Sequence, residues 1–136
     1  MKYYKLLIDT DNNAETYNRV SELLGLQPTE SENDKASNVR YSTWTYMVTE
    51  TETAPYFDFI NIFLDILEPK FPDLEKIGVS RDKILFWKLY EYDQQCGMEF
   101  HPQEMERLGQ NGIHLNIDCW TNSMKESTTK EPASLS

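Results

Sequence analysis

The sequence is poor in most features that would announce a function. It has two cysteines, Cys96 and Cys119, in 136 residues, too few for a disulfide framework. Its five glycines form no glycine-rich loop that could cradle a phosphate, and neither a nucleophile elbow nor a metalloprotease helix is present. Positive charge is scarce as well: 13 Lys and Arg stand against 23 Asp and Glu, a formal net charge of −10. Such a surface repels phosphate backbones, so nucleic acid is not an expected partner. A basic protein or a cationic ligand is attracted to it instead. No apolar run reaches the length of a membrane span. The N-terminal run Leu6-Leu7-Ile8 is too short for the core of a signal peptide, and no small-residue cleavage site follows. The expectation is a cytosolic protein without membrane contact.

What the chain does have suffices for a folded domain. With 39% apolar and 12% aromatic residues it has an ordinary globular composition, expected as one α+β domain over residues 1–120. Residues 121–136 turn to Ser, Thr, Lys and Glu, the composition of a disordered tail.

Alternation and capping residues outline the elements. Lys2 to Asp9 reads as a strand, with Tyr4, Leu6 and Ile8 on one face. The polar run Asp9 to Asn13 supplies cap chemistry for a helix from Ala14 to Leu24, and Gly25 is placed to end it. Asp9, Asp11 and Asn13 also match the opening of a calcium loop, but Ala14 and Val20 occupy its glycine and bidentate-glutamate positions. Gln27 to Arg40 reads as a mobile acidic connector carrying Glu30, Glu32 and Asp34. A second strand runs from Tyr41 to Val48. The most apolar helix spans Tyr56 to Glu68, and Pro69 and Pro72 stop it. Lys83 to Tyr92 is a strand with two unlike faces: Leu85, Trp87 and Leu89 read as core, and Phe86, Lys88, Tyr90 and Tyr92 as the outer side. A short return strand at Met98 to Phe100, a helix from Pro102 to Leu108 and a last strand from Ile113 to Trp120 complete the set. The order β-α-β-α-β-(β)-α-β predicts a ferredoxin-like α/β sandwich, with a mainly antiparallel sheet of four to five strands and helices on one face. A mixed sheet of different strand order is the rival.

Chemistry finds little support. Cys96, His101, His114 and Cys119 suggest a soft-metal set, but His114 and Cys119 lie five residues apart on one strand. That is about 17 Å and opposite faces, too far to share a zinc ion. Glu99, His101, Glu104, His114 and Asp118 could supply an acid and a base, but nothing fixes their mutual geometry. No catalytic residue, metal or cofactor is therefore expected.

Binding is the stronger reading. On these face assignments the open side of the sheet collects Tyr3, Lys5, Thr43, Thr45, Phe86, Lys88, Tyr90, His114, Asn116 and Trp120. An exposed aromatic patch of that kind marks an interaction surface. The expected occupant is a protein partner, or a second copy of the chain in a homodimer.

The run Glu22-Leu-Leu-Gly-Leu-Gln-Pro-Thr29, the strand residue Trp44 and the helix end Leu67-Glu-Pro69 occur in an order known from one family. So do Gly97-Met-Glu-Phe-His-Pro-Gln-Glu-Met-Glu-Arg-Leu-Gly109 and Ile117-Asp-Cys-Trp120. Taken together they resemble domain of unknown function 4279, small bacterial cytosolic proteins, over roughly Tyr3 to Trp120. The chain departs from that pattern at His101, where Ser or Thr is commoner, and in lacking a glycine between Gln27 and Arg40. The resemblance implies no catalytic residues. Since some relatives look like immunity proteins of toxin systems, it implies a basic toxin as partner, which the acidic loop and the net charge would steer. A homo-oligomeric ligand-sensing domain is the alternative.

Overall fold

The opening strand, β1 (Lys2–Asp9), gives way to helix through a turn of short polar side chains. Asp9 Oδ1 accepts the Asp11 N–H at 2.9 Å, and Asp11 and Asn12 take φ of 55° and 52°, a region such residues tolerate better than most. Asn13 Oδ1 then accepts the Thr16 N–H at 3.0 Å, capping α1 (Ala14–Leu24). Gly25, at φ 66°, closes that helix by donating to the Ser21 carbonyl. In this computed structural model, which describes residues 1–51, 53, 55–93 and 97–121, the chain continues through α2 (Glu32–Ala36) and β2 (Thr43–Glu50) to α3 (Phe59–Leu67). Then come α4 (Phe71–Lys76), β3 (Ile84–Tyr92), α5 (Pro102–Asn111) and β4 (His114–Thr121). Pro69 and Pro72 do more than stop a helix. Pro69 lies in the 3-10 turn Glu68–Lys70 and Pro72 in the first turn of α4, where the missing N–H goes unneeded.

The sheet has four strands in the order β2-β1-β3-β4. β1 is antiparallel to both neighbours, whereas β3 and β4 run parallel. The sheet is thus mixed rather than purely antiparallel, and nothing establishes the expected ferredoxin-like arrangement. As expected it has four strands and most of its pairings are antiparallel, but β3–β4 is parallel. The reason lies in the connections. Parallel neighbours need a crossover, and α5 supplies it between β3 and β4. The return strand expected at Met98 to Phe100 is absent, as those residues have no regular structure. Of the tail expected at residues 121–136, Thr121 belongs to β4 and residues 122–136 lie outside the described residues.

The helices cover one face of the sheet, and one apolar core lies beneath them. Tyr4, Leu6 and Ile8 of β1, Trp44 of β2, and Ile84 and Phe86 of β3 are fully buried with Phe59, Phe63, Leu64 and Leu67 of α3. Trp44 Nε1 donates to Ser21 Oγ at 2.9 Å, so the largest core side chain is also satisfied. α3 and the turn after it carry a polar stripe of Asn61, Asp65 and Glu68. Arg107 of α5 gathers it, donating to Asn61 Oδ1 at 2.8 Å, Asp65 Oδ1 at 2.7 Å and Glu68 Oε1.

Candidate functional site

Strand register builds the uncovered face row by row. The central row runs Met47, Lys5, Trp87, Asn116 across β2, β1, β3 and β4. One neighbouring row is Thr49, Tyr3, Leu89, Asp118, and the other is Thr45, Leu7, Leu85, His114. Trp120, opposite Glu91, begins a further row. All these side chains are half-buried or exposed, and the α2 segment borders only the β1–β2 side, at Lys5, Thr45 and Met47. The face is largely apolar: Tyr3, Leu7, Met47, Leu85, Trp87, Leu89 and Trp120 surround one lysine, with Asp118 two residues along β4 from the central row.

Tyr3, Lys5, Thr43, Thr45, His114, Asn116 and Trp120 therefore lie where the sequence places them. Phe86, Lys88 and Tyr90 do not. They pair with Leu6, Tyr4 and Lys2 on the face under the helices, and Phe86 is fully buried with its ring 5.3 Å from that of Phe63. Lys88 is 5% exposed. It can occupy the covered face because its Nζ lies over the rings of Tyr4 at 5.8 Å, Phe100 at 5.6 Å and Tyr90 at 6.0 Å, an arrangement that attracts a cation. Leu85, Trp87 and Leu89, read as core, are instead the middle of the uncovered face. β1 held the signal for this: its clear alternation fixes which β3 residues share each side.

The acidic loop is ordered rather than a loose connector. Its start lies along the β2 edge, where the Thr29 N–H donates to the Thr45 carbonyl at 2.7 Å. Glu30 accepts from Arg40 Nε at 2.9 Å and Nη2 at 3.2 Å. That guanidinium, aided by the Tyr17 hydroxyl, holds the Glu30 carboxyl below its usual range, while burial opposes it. Asp34 and Ser31 form a reciprocal capping box at the start of α2, and Ser31 holds the Asp34 carboxyl low. Glu32 is 93% exposed, with Lys35 Nζ at 3.7 Å. Two of the three acids are thus tied into the loop itself.

The residues considered for acid–base work are not gathered. His114 and Asp118 share a face, but four residues along a strand is about 13 Å. His114 and Cys119 fall on opposite faces, and Cys96 lies outside the described residues. Among the described residues no group of three or more His, Cys, Asp or Glu could hold a metal ion. A buried carboxylate does occur on the helix side, at Glu50. It accepts the Tyr4 hydroxyl and the Phe57 N–H, each at 2.8 Å. Burial and that carboxylate push the Tyr4 phenol far up.

The fold and face define a class: an α+β protein with a four-stranded mixed sheet, helices on one side and a largely apolar uncovered surface on the other. Among the described residues no helix is long and apolar enough to cross a membrane. Comparison with protein-family models, curated proteins and solved structures finds no match to this chain.

Proposed function

We propose that this chain is a non-enzymatic, cytoplasmic binding protein that works through its uncovered sheet face. The observation that carries this is the set of apolar rows centred on Trp87. A contiguous apolar patch with tryptophan and tyrosine at its middle is typical of a docking surface. The partner we favour is a basic protein, drawn in by the net charge of −10 and then seated on the apolar rows. The resemblance to domain of unknown function 4279 gives that partner a form: a toxin that this chain occludes as an immunity-type protein.

The test is co-expression with a toxin encoded beside the chain's own gene. Growth should be rescued, and rescue should fail with Trp87→Glu and Leu89→Glu together while surviving Met105→Glu, a change at an exposed position of α5. A neighbourhood without a toxin, or rescue by the double variant, ends this reading. A second reading, a homodimer, is favoured by the balance of Lys5 and Asp118 on strands flanking β3. Two copies packed face to face would bury the apolar rows and set opposite charges against each other. Sedimentation would then give twice the 16.0 kDa chain mass.

A further inference from the structure

At the β1–β2 side of the docking face, the α2 segment and the residues after it border a half-open cleft of about 510 Å³ that shares Lys5, Thr45 and Met47 with that face. That volume lies within the range of small-molecule sites. The cleft's hydrogen-bonding capacity is lopsided. Its acceptors are already used: Glu30 receives Arg40 and Tyr17, and Asp34 Oδ2 receives the Ser31 N–H at 2.9 Å. Its donors are only partly so. The hydroxyl oxygens of Thr29, Ser31 and Ser37 accept the N–H groups of Met47, Asp34 and Val39, each at 3.1 Å. A hydroxyl has a single proton to give; that of Ser31 goes to the Asp34 carboxylate, whereas those of Thr29 and Ser37 go to no other described residue. Lys5 lines the same cleft; its charge acts on the Asp34 carboxylate, but its side chain makes no ion pair or hydrogen bond with a described residue.

We propose that this cleft binds a small monocarboxylate, with its carboxylate on Lys5 and the donor hydroxyls and its apolar body against Met47 and Val39. Spare donors around a lysine call for an anionic acceptor. The carboxylates of Glu30 and Asp34 in the same walls, within a strongly acidic molecule, disfavour a dianion such as phosphate. Val39, 56% exposed, supplies an otherwise unused apolar wall. The cleft shares Lys5 and Met47 with the docking face, but the inference does not depend on a protein docking there.

Titration of the isotope-labelled full chain with butyrate and benzoate, followed by amide NMR, tests the assignment. Both should shift the amides of Thr29, Ser31 and Ser37 saturably, while butyramide and benzamide leave them in place. Lys5→Gln should weaken binding by roughly tenfold or more, the scale of a charge-assisted hydrogen bond. Lys5→Arg should retain binding, and Ser37→Ala should weaken it less. The proposal is overturned if neither carboxylate moves these amides, if the neutral amides bind as well, if inorganic phosphate binds more tightly, or if folded Lys5→Gln binds like the parent. The ligand comparison and Ser37→Ala keep the test decisive if Lys5→Gln does not fold.

Discussion

At residue scale the neighbours Phe86 and Trp87 divide the molecule. Both are large aromatics on one strand, and period-two alternation alone does not say which is core. Lys88 suggested the wrong answer, because a lysine ordinarily marks the wet side. Here its ammonium is sheltered among aromatic rings, which no spacing rule reveals. The assignment has a direct energetic consequence. Phe86→Ala should cost about 3–5 kcal/mol, as for other buried phenylalanines, whereas Leu89→Ala on the uncovered face should cost less than about 1 kcal/mol. Urea denaturation of the two variants measures this, and the reverse order would restore the faces read from sequence. Glu30 makes a second prediction. Its folded-state carboxyl titrates below its ordinary value of 4.5, so its stabilising effect is present above that value and is lost as pH falls through the folded one. The stability gap between the parent and Glu30→Gln should therefore be wider at about pH 7 than at about pH 3.

At the scale of elements, legibility follows local chemistry. The bounds of α1 were readable because Asn13 and Gly25 act through bonds to their immediate neighbours. The last strand was readable from alternation, although Ile117, on the helix side opposite Lys88, is 43% exposed. The direction of that strand was not, since whether β4 lies parallel to β3 depends on where α5 crosses rather than on any residue within β4. α4 was hidden by prolines that read as stops but lie in first turns. α2 was hidden in a polar stretch whose order comes from the distant pairing of Arg40 with Glu30. Gly112 ends α5 at φ 66°, where a side chain costs about 1–2 kcal/mol. Gly112→Ala should lower the melting temperature accordingly, while Gly109→Ala, inside the same helix with open space around it, should not.

At the scale of the whole molecule, charge and shape separate. The net charge is −10, while the sheet face carries Lys5, Glu91 and Asp118 amid apolar side chains. A basic partner should thus be steered by the net charge and held by the apolar rows. Its association rate should fall with added salt more than its dissociation rate rises, and stopped-flow mixing across a salt series reads both. A self-paired dimer, resting on apolar burial, should be nearly indifferent to salt.

The most direct measurement is site-specific photo-crosslinking in cells carrying the chain at its own locus, with the crosslinker placed at Trp87 or, as a control, at Met105 on the exposed side of α5. The account predicts a discrete adduct from position 87 and none from position 105. Its mass and identity should be those of a basic protein, or of a second copy of this chain. Adducts from position 105 alone, or none from position 87, would contradict it, because the surface in use would not be the uncovered sheet.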